Sequence, residues 1–305
     1  MDIDRTIINK KSELLAYFRG RASEAINESE RKFGLSNWKK LADSVNKSAN
    51  KTLSDYIRIL LQIARKEDWT KKEILESVLL VTYTGYVAMI EARNKAWKYD
   101  YMTFSRRMGG LWEHFCKLCF EYALSDLNLY IPPLFLDIKK KLTVEVETYI
   151  DSLNISEEQK ITLKFYYQKV WNLVVSGEIQ LDLDFHFEFE GTKYSIDFKS
   201  GFGSNEKGNT NRLLLVATIY QSLEEGYNCV LLVRAEEDRN NHYFRTLRNS
   251  GVWKTYCGSE AYSKIADFTG FDIKQWLLFY VNWREDLASE SLKHLVDNEL
   301  DNYLW

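Results

Sequence analysis

The chain changes period near residue 178, and that change constrains its fold more than any other feature. "GEIQLDLDFHFEFEG" (residues 177–191) alternates without a fault. Ile179, Leu181, Leu183, Phe185, Phe187 and Phe189 point one way. Glu178, Gln180, Asp182, Asp184, His186, Glu188 and Glu190 point the other. Period 2 with one apolar side predicts a strand with a single buried face. "EGTK" carries turn chemistry, and "YSIDFKSG" (residues 194–201) returns with Ile196 and Phe198 on one side and Asp197 and Lys199 on the other. With Gly191–Thr192 as the two-residue loop, Asp184 lies across from Lys199; with Glu190–Gly191, it lies across from Asp197. In either register the three side chains gather on one face of a hairpin. A one-residue slip would bury the carboxylates and expose the phenylalanines.

Before this point the spacing is helical. "TIINKKSELLAYFRGRASEAI", "SNWKKLADSVN" and "LSDYIRILLQIARKEDW" are amphipathic, and "TKKEILESVLLVTYTGYVAMIEARNKAW" starts at Thr70 with Glu73 in capping-box position. Gly109–Gly110 are expected to break the pattern before a further helix, "LWEHFCKLCFEYAL", with Glu113 in its first turn. Residues 139–175 read as two helices. After the hairpin, "GFGSNEKGNTN" reads as a loop, "RLLLVATIYQSLEEG" as a helix beginning near 209–212, and "YNCVLLVRA" as a buried strand parallel to its neighbour. The rest is expected to be mostly helical.

Charge is unevenly divided. Residues 1–110 hold 21 Lys/Arg against 14 Asp/Glu, and the remainder 20 against 30, giving net −3. A basic arm joined to an acidic body suits a polyanion binder with a metal-binding catalytic part; the plainer reading is uneven solvation of helix faces. The apolar run at residues 77–90 is too short to span a bilayer and reads as a buried helix. No apolar leader opens the chain, so a cytoplasmic protein without a membrane partner is expected. The four cysteines are too few for a disulfide scaffold. Cys116 and Cys119 form a C-x-x-C with no second pair to complete a zinc site, and read as buried thiols.

Two carboxylates beside a lysine are chemically specific. Mg²⁺ takes oxygen ligands, often one or two carboxylates completed by substrate phosphate and water. A lysine nearby orients a water or stabilises developing negative charge. The plain alternative is a solvated strand face. Against it stands the Gly201-Phe202-Gly203 segment, which lets backbone approach a ligand, and the helix start that follows.

The pattern Asp184 … Asp197-x-Lys199, on a hairpin followed by a helix and a strand, resembles the PD-(D/E)xK nuclease superfamily. "IDFKSG" is similar to the ending of its RecB-like members, and "GGLWEHFCKLCFE" resembles its N-terminal helix, with Glu113 in the place of a contributing glutamate. Leu183 stands where the motif's proline would be, and Asp182 is an alternative first acid. A helical segment at about 137–175 separates helix from hairpin. The resemblance covers under half of the chain.

It implies an α/β fold (α+β overall): a restriction-endonuclease-like mixed central sheet flanked by helices. Residues 1–105 would form a helical region for DNA binding or dimerisation, and residues 106–305 the catalytic domain with a helical C-terminal extension. It implies Mg²⁺-dependent hydrolysis of double-stranded DNA, with Mn²⁺ as a substitute. Asp184 and Asp197 would hold metal, Lys199 would position water, and Glu113 would ligate metal or water. The chain looks most like a type II restriction endonuclease, a homodimer with a cognate DNA methyltransferase. Arg106, Arg107, Asn205, Lys207, Asn209, Asn211 and Arg212 are candidates for DNA contact. The rival readings are a structure-specific repair, recombination or phage nuclease on the same core, a non-catalytic DNA-binding protein, and a helical interaction protein.

Overall fold

The structure is a computed structural model that describes residues 3–34, 36–174, 179–203, 206–223 and 226–305. It is a mixed α/β protein. Three long helices open it: α1 (Lys11–Phe33), α2 (Trp38–Lys66) and α3 (Lys71–Ala96). Where the sequence reads as two helices in residues 37–69, α2 runs unbroken. The polar middle of that stretch contains neither Gly nor Pro, so nothing local stops the helix. α3 is buried nearly all round, and its first turn is closed by the expected Thr70–Glu73 capping box. It is long and apolar enough to cross a membrane, but 78% of its most apolar window is packed inside the protein.

α4 (Tyr101–Glu121) corrects another expectation, because Gly109–Gly110 lie within it instead of preceding it. The helix starts at Asp100, whose carboxylate accepts from Thr103 N. Gly109 packs closely against Ser200: a Cβ there would lie 2.9 Å from Ser200 Oγ, which would have to shift. Residue 105, the expected boundary, also lies inside α4.

There follow β1 (Asn128–Leu129), α5 (Phe135–Ser152) and α6 (Glu157–Val174), the last two being the anticipated helical insertion. Then come β2 (Phe185–Phe189), β3 (Thr192–Lys199), α7 (Lys207–Ser222), β4 (Tyr227–Val233), α8 (His242–Arg248) and β5 (Lys254–Cys257). α9 (Ser259–Thr269), α10 (Ile273–Tyr280), α11 (Trp283–Asp286) and α12 (Ser289–Asp297) complete the chain. Among the described residues the sheet order is β1-β2-β3-β4-β5. β2 is antiparallel to both β1 and β3; β3, β4 and β5 run parallel. β5 went unread in the sequence, because four residues give too short an alternation to register.

Both faces of the sheet are covered. Phe187, Ile196 and Phe198 pack with Trp112 and Phe120 of α4 and Phe268 of α9, in an apolar cluster that continues into α1–α3. Leu213, Val216 and Tyr220 of α7 join Leu231 and Val233 of β4 and Phe244 of α8 in a second cluster. This overturns the expectation of a hairpin with one wet face. Ser195 and Asp197 are fully buried and His186 nearly so.

The long alternation is only partly a strand. Residues 179–184 form no ladder. Leu181 and Leu183 are instead drawn into the second cluster, and side chains take over their backbone groups. Tyr220 Oη donates to Leu181 O at 2.9 Å, Arg212 Nη1 donates to Asp182 O at 3.2 Å, and Leu183 N donates to His186 Nε2 at 3.1 Å. The polar groups are satisfied without a sheet partner.

Candidate active site

The loop between β2 and β3 is Glu190–Gly191, since Phe189 pairs with Thr192. Both loop residues have positive φ, 50° and 72°, as a type I′ hairpin requires. The last ladder pair is Phe185 with Ile196. One step further, Asp184 stands across from Asp197, which selects the second of the two registers. Period 2 then carries Lys199 to the same side as Asp197 at the end of β3, and α4 crosses above.

The expected residues converge there. Asp197 Oδ2 lies 2.7 Å from Lys199 Nζ, and that ammonium also donates to Phe198 O at 3.2 Å. Asp184 Oδ2 accepts from Phe198 N at 2.8 Å, and its Oδ1 is 3.0 Å from Lys117 Nζ. Arg212 Nη2 is 3.8 Å from Asp197 Oδ1. Asp184 thus takes part in the cluster, whereas Asp182 is exposed and contributes its carbonyl to Arg212.

The electrostatics follow from burial. Asp197 is 1% exposed, and loss of water raises its pKa, with Lys199 opposing and the charge of Asp184 adding to the rise. Burial works to lower the Lys199 pKa, but the carboxylates of Asp197, Asp184 and Glu113 outweigh it and the net direction is up. Glu113 is pushed up to about 7, mainly by burial, against the pull of Lys199 and with help from Asp184 and Asp197. The site is therefore rich in carboxylate and poor in water, which favours a cation. His186, on the same strand face as Asp184, is lowered to about 4 by burial. Its ring bridges Leu183 N and Ser195 Oγ, a positioning role for a neutral imidazole.

The other candidates divide. Arg212 joins the site. Lys207, Asn209 and Asn211 lie in the first turns of α7, which begins earlier than expected. Asn209 there donates to Glu206 Oε2 at 3.0 Å, while Lys207 and Asn211 are exposed. Asn205 lies outside the described residues. Arg106 and Arg107 line a separate cavity with Arg93. Cys116 and Cys119 are buried free thiols. Lys117 was missed, although its place four residues after Glu113 puts both on one helix stripe and marks it as a neighbour of the same site.

The residues fit a hard cation in one specific respect. Asp197 Oδ2 is buried without a hydrogen bond of good geometry, and its near neighbour is itself a cation. Among the described residues no three His, Cys, Asp or Glu side chains form a metal cage. Two carboxylates completed by substrate oxygens is the arrangement Mg²⁺ commonly takes. Comparison of the chain with protein-family models, with curated proteins and with solved structures finds no match.

Proposed function

We propose that the protein is a Mg²⁺-dependent endonuclease acting on double-stranded DNA, built on a restriction-endonuclease-like core and most like a type II restriction enzyme. The observation that carries this reading is the convergence of Asp184, Asp197, Lys199 and Glu113 where β3 ends beneath α4. Asp184 and Asp197 would hold the ion, which when bound supplies a polarised phosphoryl oxygen and an acidified water. The chain's own groups do the rest. Lys199 keeps its proton and sets a positive charge beside the buried Asp197, suited to orienting water and stabilising charge on a phosphoryl oxygen. Glu113, with its pKa near 7, takes or gives a proton at neutral pH. Lys117 fixes the Asp184 carboxylate through Oδ1, and Phe198 N fixes it through Oδ2. Arg212 offers a guanidinium to an approaching phosphate.

Plasmid and phage DNA digestion tests the proposal, with Mg²⁺ or with EDTA, for the native chain and for Asp197→Ala and Lys199→Ala. Discrete Mg²⁺-dependent fragments that vanish in both variants are expected. A smear or nicking would shift the assignment to a structure-specific nuclease. Cleavage surviving both substitutions would overturn the site, and absence of any cleavage would favour a binding protein.

A further inference from the structure

Arg93, in the last turn of α3, is 5% exposed. Its Nη1 is buried without a hydrogen-bond partner. The guanidinium packs over the rings of Trp97 and Tyr99, at 4.9 and 4.6 Å from their centroids. Among the described residues no carboxylate comes within ion-pair distance of it, and Asp100 and Asp43 act on it only from farther away. A buried charge without a close counter-charge is costly, and stacking on two rings covers its faces while leaving Nη1 without a partner.

Arg93 lines a cavity of about 450 Å³ between α2, α3, the α3–α4 connection and α4. Arg106 and Arg107 line the same cavity. Arg107 Nη1 has a thioether, Met89 Sδ, as its partner at 3.2 Å, a weak acceptor for a guanidinium. The Tyr99 hydroxyl is buried beside Arg107 without a hydrogen bond of good geometry. The acidic lining residue is Asp43, which is exposed and forms no ion pair with any of the three arginines. Asn46 also has an amide oxygen without a partner. Three guanidinium groups and one phenol therefore line a space that Asp43 on its wall and Asp100 nearby oppose, neither of them in an ion pair with the arginines.

We infer that this cavity binds a phosphate group. Planar guanidinium forks match the oxygens and negative charge of a phosphate group, and the Tyr99 hydroxyl adds a neutral donor. The cavity is roomier than bare phosphate needs, so the ligand is a phosphate ester, with the aromatic wall beside its organic part. Two sources share that chemistry: a free nucleotide, and the backbone of a nucleic-acid strand. Arg106, Gly110, Glu113 and Lys117 are spaced four, three and four along α4 and share one stripe. Seven residues of helix, about 10 Å, separate Arg106 from Glu113, so the cavity and the proposed site are served by one stripe of the same helix. The inference does not depend on cleavage.

Calorimetric titration of the full chain in EDTA tests it. The probes are inorganic phosphate, a deoxynucleoside 5′-monophosphate, and a short duplex with 5′-hydroxyl ends. The variants are Arg93→Gln, Arg107→Gln in case the first fails to fold, and Lys293→Gln as a charge control. Saturable binding of at least one probe is expected, weakened about tenfold or more by either arginine substitution and unchanged in the control. Response of the small phosphates alone assigns a free ester; response of the duplex alone assigns the backbone diester. Absence of binding by all three probes would overturn the site, as would arginine variants that bind as tightly as the native chain.

Discussion

Asp197 and Lys199 form a buried pair in which each partner justifies the other, so their removal has separable consequences. Lys199→Ala is expected to lower cleavage by about a hundredfold to a thousandfold, with DNA affinity in EDTA nearly unchanged, as a filter-binding assay beside the digestion would show. Glu113 gives a pH-dependent prediction. Its folded pKa of about 7 exceeds its ordinary 4.5, so the stability it contributes is present below about 4.5 and is lost as pH rises through 7. Glu113→Gln should therefore unfold at a higher temperature than the native chain at pH 8, with the difference closing by pH 4.5. Scanning calorimetry at the two values checks this, and a variant equally destabilised at both would refute it. The acids and the lysine were legible in the sequence because period 2 forces Asp184, Asp197 and Lys199 to one side. Arg93 and Lys117 were not, because their significance lies in what packs across from them, and helical spacing alone marks neither as unusual.

At the level of elements, the hairpin depends on a turn in which Glu190 adopts φ 50° and Gly191 φ 72°. A glutamate there is strained, whereas asparagine tolerates the left-handed region. Glu190→Asn should stabilise the protein by about 0.5–1 kcal/mol and Gly191→Ala should destabilise it by about 1 kcal/mol or more, measured by urea unfolding. Opposite signs are the point of the pair; a loss in both would place the strain elsewhere. The approach to β2 shows how far periodicity can be trusted. Leu181 and Leu183 alternate with polar residues as a strand would, yet their burial on the α7 side leaves the backbone to Tyr220, Arg212 and His186. Alternation recorded which side chains go inside. It did not record whether a neighbouring strand was present to pair with. The glycine pair of α4 misled for a related reason: Gly109 answers a contact with Ser200, ninety-one residues away in sequence, and no local pattern can announce that.

Across the whole molecule, one apolar cluster runs from Leu14 and Phe18 of α1 through α3 and α4 to Phe198 and Val230 in the sheet. The helical third and the sheet share this core, which the sequence, read as a basic arm and an acidic body, did not convey. The native chain is expected to unfold in a single calorimetric transition, and a fragment of residues 101–305 to be insoluble or molten. Two resolved transitions, or a folded fragment, would show independent units. The Lys117–Asp184 ion pair adds an element of timing. Proteins are synthesised from the N-terminus and fold as they emerge, so the helix bearing Glu113 and Lys117 leaves the ribosome some seventy residues before Asp184 and eighty before Lys199. A nascent chain carries a docked helix with its own glutamate and lysine waiting, and no partner for either. On the proposed reading, a host cell is shielded from its own half-made nuclease by the order of translation, since the cutting centre closes only when the hairpin arrives.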